Sequence, residues 1–118
     1  MGMLVEGKWT GEWYRPDEKG RFVRPDTVFH NRVSADGSSG FKAEAGRYHL
    51  YVSLACPWAH RTLIMRSLKG LKEAISLSVV DPFMGDDGWA FSDYPGSIPD
   101  SIKGCEFLRE VYVLAQAD

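Results

Sequence analysis

Residues 48–81, "YHLYVSLACPWAHRTLIMRSLKGLKEAISLSVVD", constrain the fold more than any other stretch of the chain. The start alternates Leu50, Val52 and Leu54 against His49, Tyr51 and Ser53, and it is rich in β-formers, which predicts a strand. Pro57 suits the first position of a helix, because the N–H it lacks would have no partner there. His60, Leu63, Ile64, Ser67, Leu68 and Leu71 recur at helical spacing. That spacing predicts one inward face, with His60 as a packing residue on it. Lys69-Gly70 then stops the helix with a cation near its negative end and a residue that tolerates left-handed geometry. "AISLSVVD" predicts a second strand, with Ile75, Leu77 and Val79 on one side and Asp81-Pro82 at its end. Strand, helix and strand within about 35 residues make a βαβ unit, with parallel strands and a right-handed crossover.

The rest of the chain is less regular. Residues 1–46 read as an extension rich in Trp, Gly and Pro, with one short hairpin expected around Trp9–Tyr14 and a turn at "DEKG". "SADGSSG" reads as a flexible loop. Trp9, Trp13, Phe22 and Phe29 should be covered, since large rings are costly to leave in water. Residues 82–100 carry three prolines and predict a long irregular loop. A last helix is expected from Asp100 or Ser101, with Ile102, Cys105, Leu108, Tyr112 and Ala115 along one stripe. Residues 47–118 are thus expected to form a single partial domain. Two strands and two helices make a thin core for it, because a stable sheet usually has three or more strands.

Composition narrows the function. The 118 residues carry a net charge of −2, which argues against a nucleic acid or an anionic membrane as partner. No apolar run approaches the roughly 20 residues of a membrane-spanning helix, and the N-terminus has no signal-peptide core. Cytoplasmic residence is the expectation. Cys56 and Cys105 have no metal-ligand spacing, and no metal is expected.

Cys56 is the residue with chemistry. It falls where the strand gives way to the helix, and first-turn N–H groups and the helix dipole favour negative charge there. Cysteines in such places ionise more readily than a free thiol, whose pKa is about 8.5. Pro57 fixes the turn and keeps the sulfur aimed. Arg61 either adds positive potential or points to solvent. Trp58 either shields the site or packs on the extension. The fourth position of a C-x-x-C pair is held by Ala59, so Cys56 has no local partner to resolve a mixed disulfide. An external thiol must do so, and glutathione is the abundant one. Trp89, in "DDGWAF", is either a loop anchor or a flat surface for a ligand.

"RYHLYVSLACPWAHRTLIMRSLKGL", with "ISLSVV" and "GWAF" after it, closely resembles the glutathionyl-hydroquinone reductases, the xi class of glutathione transferases. The resemblance runs from about Gly7 to the chain end. It implies an α/β fold: an incomplete thioredoxin-like domain, the N-terminal domain of a glutathione transferase, without the helical domain that follows. It implies Cys56 as nucleophile and Trp89 against glutathione; Pro57, Trp58 and Arg61 are the candidates for support at the helix N-terminus by their place in the sequence. It implies glutathione as co-substrate, glutathionyl-hydroquinones as substrates and a homodimer for intact members. The chain is then a truncated part, weakly active or inactive alone. A one-cysteine glutaredoxin-like thiol reductase and a non-catalytic interaction module are the alternatives.

Overall fold

The computed structural model describes residues 1–116. The chain opens on a hairpin of β1 (Met3–Val5) and β2 (Lys8–Thr10), with Val5 opposite Lys8. Both linking residues, Glu6 (φ 48°) and Gly7 (φ 73°), are left-handed, the two-residue turn that suits the twist of paired strands. This corrects the expected position of the hairpin. Trp9 sits in β2, Trp13 and Tyr14 lie outside any strand, and the "DEKG" turn closes with a lone bridge from Pro16 to Phe22. That turn is real: the Asp17 carboxylate accepts the N–H groups of Lys19 at 2.9 Å and Arg21 at 2.8 Å. The Ser34–Gly40 loop is also tied, by Ser34 N–H to the Phe41 carbonyl at 2.9 Å. Of the four rings expected to be covered, Trp9 is half-buried, whereas Trp13, Phe22 and Phe29 stay exposed.

The central unit forms as the sequence predicts. β3 (Tyr48–Ser53), α1 (Pro57–Leu68) and β4 (Ile75–Val80) follow one another. β3 and β4 pair in parallel, from Tyr48 opposite Ile75 to Ser53 opposite Val80. The buried apolar core is Val52, Val79 and Val80, at the C-terminal end of this pair. Leu54, expected within the strand, lies past its end and is exposed. Gly70, at φ 65°, ends the helical turn as expected.

The inward face of α1 is not the expected one. Cys56, Ala59, Leu63 and Arg66 are half-buried in a row, while His60, Ile64 and Leu68 are exposed. The cause is Arg66. Its guanidinium donates to the carbonyls of Ile75 at 2.8 Å and Lys72 at 3.0 Å, and so sets the rotation of the helix. A charged side chain on the inner face defeats a reading based on apolar spacing, and His60, expected to pack there, is exposed.

Residues 82–100 fold back along β4. Val79 and Ile98 exchange two backbone hydrogen bonds of 2.9 Å, and Asp81 N–H donates to the Ala90 carbonyl at 2.8 Å. Within this stretch β5 (Met84–Gly85) and β6 (Gly88–Trp89) form a small hairpin, so Trp89 belongs to a strand and not to a loop. α2 (Leu108–Ala115) starts well after the expected Asp100. The Asp100 carboxylate takes the N–H groups of Ile102, Lys103 and Cys105, at 3.0, 3.2 and 3.1 Å, and holds them in a loop. Cys105 lies in that loop, off any helical stripe. Glu110 then reaches back to the N–H groups of Glu106 and Phe107, at 2.8 and 3.0 Å, and sets the true helix start.

The chain exposes 8902 Å². A folded monomer of this mass exposes roughly 6,400 Å². Large apolar side chains are among those exposed, including Trp58, Met65 and Leu68 of α1. No helix among the described residues is long and apolar enough to cross a membrane.

Candidate functional site

Cys56 is the N-cap of α1, in extended geometry with φ −95° and ψ 113°. Its N–H donates to the Ser53 carbonyl at 3.2 Å, and its own carbonyl accepts His60 N–H at 3.1 Å. The backbone is thus held on both sides while the sulfur makes no capping bond. Pro57 occupies the first turn, and no acidic residue stands in it to compete for the helix end. Cys56 is half-buried and outside any disulfide. This is the meeting of sulfur and helix end that the sequence predicts.

Trp58 follows at once and is largely exposed. Two guanidinium groups flank its ring: Arg61 at 5.0 Å from the centroid and Arg24 at 5.8 Å. The residues before β3 therefore reach the start of α1 through Arg24, and Arg61 lies over the ring as a cation–π partner. Arg24 carries no local signal in sequence. Only the fold brings it to the helix end.

Trp89 is half-buried and lines an open groove of about 700 Å³ between the residues before β3 and α2. Trp9, Trp13, Arg24, Phe29 and Tyr112 also line it. Cys56 does not line this groove, so the structure does not seat Cys56 and Trp89 in one cavity. What connects the two regions is Arg24, which both lines the groove and stands over Trp58.

Gly88, just before Trp89, is buried at φ 79°. A Cβ there would come within 2.7 Å of Cη2 of Trp9. Gly88→Ala should therefore destabilise the fold by about 2 kcal/mol or more, from left-handed strain plus displacement of Trp9. Thermal unfolding followed by tryptophan fluorescence measures this; a variant that melts with the parent would contradict it.

The second cysteine is built differently. Burial, together with the neighbouring Asp100 carboxylate, pushes the Cys105 thiol up from its usual range. Iodoacetamide at neutral pH should consequently label Cys56 well before Cys105, as peptide mapping would show; equal labelling would contradict the distinction. Among the described residues no group of three or more His, Cys, Asp or Glu side chains could hold a metal ion.

No protein-family profile matches the chain. Individual proteins do. Glutathionyl-hydroquinone reductase PcpF of Sphingobium chlorophenolicum is 48% identical over 98% of this chain and 36% of its own length. Glutathionyl-hydroquinone reductase YqjG of Escherichia coli K12 is 50% identical over 98% of this chain and 38% of its own. Among solved structures, a xi class GST from Natrialba magadii superposes with a TM-score of 0.85 at 48% identity, covering 100% of this chain and 35% of that one. The glutathione-bound structure of YqjG, described as a glutathione transferase homolog, gives 0.73 at 54% identity over 75% of this chain and 31% of that one. The chain spans little more than a third of the length of these relatives. Sequence and backbone agree that the chain belongs to the family of glutathionyl-hydroquinone reductases and xi-class glutathione transferases, and that it corresponds to their N-terminal portion.

Proposed function

We propose that this chain carries the nucleophile of a glutathione-dependent reductase that converts glutathionyl-hydroquinones to hydroquinones. The observation that supports this most is Cys56 at the N-cap of a twelve-residue helix, with its sulfur uncommitted and no acid in the first turn. Partial positive charge at that helix end favours negative charge that develops on a reacting group beside it. Pro57 fixes the turn, while Trp58 holds Arg61 and Arg24 beside it. Trp89 is the candidate wall for glutathione.

Chemically, the Cys56 thiolate attacks the sulfur of the glutathionyl-hydroquinone. The bond between that sulfur and the ring carbon breaks, and the ring carbon leaves with the electron pair and takes a proton. Hydroquinone departs, and Cys56 keeps glutathione as a mixed disulfide. A second glutathione thiolate attacks this disulfide, releasing glutathione disulfide and restoring Cys56. One hydroquinone thioether is reduced as two glutathione sulfurs are joined. Ala59 in place of a second cysteine fits this two-glutathione course.

On this reading residues 47–118 are part of a thioredoxin-like domain and residues 1–46 are an extension to it. On the same reading the intact protein pairs as a homodimer, and cytoplasmic residence fits two free thiols. Contacts that position a substrate supply much of a rate, so this chain alone should turn over slowly. Incubation with a glutathionyl-hydroquinone and glutathione tests the scheme. Hydroquinone and glutathione disulfide should form in equal amounts, more slowly than with a full-length glutathionyl-hydroquinone reductase, with glutathione trapped on Cys56. A glutathione adduct absent from Cys56 would overturn it. Activity on a glutathionylated peptide alone would favour a glutaredoxin-like reductase.

A further inference from the structure

We infer that Arg109 is a positioning residue for Trp89, acting with the N-terminal hairpin as a clamp on the β5–β6 turn. The inference rests on the proposed role of Trp89 against glutathione. Residues 85–91 are held almost one by one, and the holding groups come from the two ends of the chain. The Met1 amino group donates to the Gly85 carbonyl at 2.7 Å, and Trp9 Nε1–H donates to the Asp86 carbonyl at 3.0 Å. Arg109 donates to the Asp87 carboxylate at 2.7 Å and lies 3.4 Å from the Asp87 carbonyl. The Trp9 ring covers Gly88 so closely that a Cβ would not fit. Ala90 bridges to Phe107, and Phe91 N–H donates to the Glu106 carbonyl at 2.9 Å.

Arg109 joins these contacts into one unit. Its guanidinium stands 5.1 Å from the Trp9 centroid and 4.6 Å from that of Phe107 while it pairs with Asp87. The side chain is mostly covered, whereas Asp87 is more exposed. A planar fork that pairs with a carboxylate and stacks on rings is a task for Arg that Lys does not reproduce. Trp89 lies two residues from Asp87 and shares its groove with Trp9 and Arg109. With the clamp broken, the indole of Trp89 loses its fixed orientation, although Cys56, at the start of α1, keeps its own backbone bonds.

The experiment compares how fast Cys56 forms a mixed disulfide with oxidised glutathione and with 2-hydroxyethyl disulfide, a probe without the peptide. The ratio of the two rates isolates recognition of glutathione from reactivity of the thiol. The variants are Arg109→Met, which keeps the stem and loses the fork, Arg109→Lys, and Trp89→Ala as reference. The ratio should fall about 3–10-fold in both Arg109 variants and in Trp89→Ala, with the 2-hydroxyethyl disulfide rate of the Arg109 variants within about 2-fold of the parent. The indole N–H resonance of Trp89 should broaden or shift in both Arg109 variants. A lower ratio in Trp89→Ala with an unchanged ratio in a folded Arg109→Lys would overturn the clamp and leave the role of Trp89 standing. An unchanged ratio in Trp89→Ala would overturn the role of Trp89, and the clamp's function with it.

Discussion

Asp100→Ala should lower the stability of this chain by roughly 3–5 kcal/mol, the largest loss expected of any single truncation here. Asp100 is 6% exposed, yet its carboxylate accepts from Tyr51 Oη at 2.9 Å and from the N–H groups of Ile102, Lys103 and Cys105. Removing it orphans four donors and frees the loop that leads to α2. Burial pushes the carboxyl pKa up, but the bonds from Cys105, Ile102, Tyr51 and Lys103 outweigh it and hold the group well below its usual range. Burial and the bond to Asp100 raise the Tyr51 hydroxyl in turn to about 12, so it remains a donor at any ordinary pH. A depressed carboxyl pKa gives stability that is full above the unfolded value of 3.8 and is lost as pH falls below it. Asp100→Asn keeps the shape without the charge. The gap in melting temperature between parent and Asp100→Asn should be widest near neutrality and narrow below about pH 4. A gap that stays constant down to pH 2 would contradict the assignment.

Cys56→Ser should abolish formation of the glutathione adduct and any hydroquinone release, leaving only the background reaction of glutathione in solution. A serine hydroxyl at the same cap is not ionised near neutral pH and does not attack sulfur as a thiolate does. The fold should be nearly unaffected, since the Cys56 sulfur makes no capping bond and the backbone bonds to Ser53 and His60 remain. Mass spectrometry after treatment with a glutathionyl-hydroquinone, alongside circular dichroism, reads both effects. Turnover in a folded Cys56→Ser chain would show that the nucleophile lies elsewhere.

The sequence discloses the parts of this protein that local chemistry decides. β3 and β4 follow from runs of β-branched and aromatic residues, and α1 begins at Pro57 and stops short of Gly70 because those residues punctuate any chain. Cys56 is legible for the same reason. Elsewhere, partners distant in sequence make the decisions. The inner face of α1 is set by Arg66 reaching carbonyls of Lys72 and Ile75, and apolar spacing cannot foresee that. Asp100 looks like an N-cap, and its carboxylate does collect N–H groups, but into a loop that postpones the helix to Leu108. The first turn was hidden because Glu6 is an unusual residue to adopt a left-handed conformation. Arg24, Trp9 and Arg109 acquire a role near the candidate site only through contacts that span much of the chain.

The pairing of Trp9 with Asp86 and Arg109 has a bearing on biosynthesis. On the ribosome the opening residues appear first, yet their docking surface is complete only once Arg109 has emerged, a full hundred positions later. Until then an indole and the strand that carries it wait in water, so the N-terminal segment should be among the last to settle and among the first to be cut by a protease during synthesis.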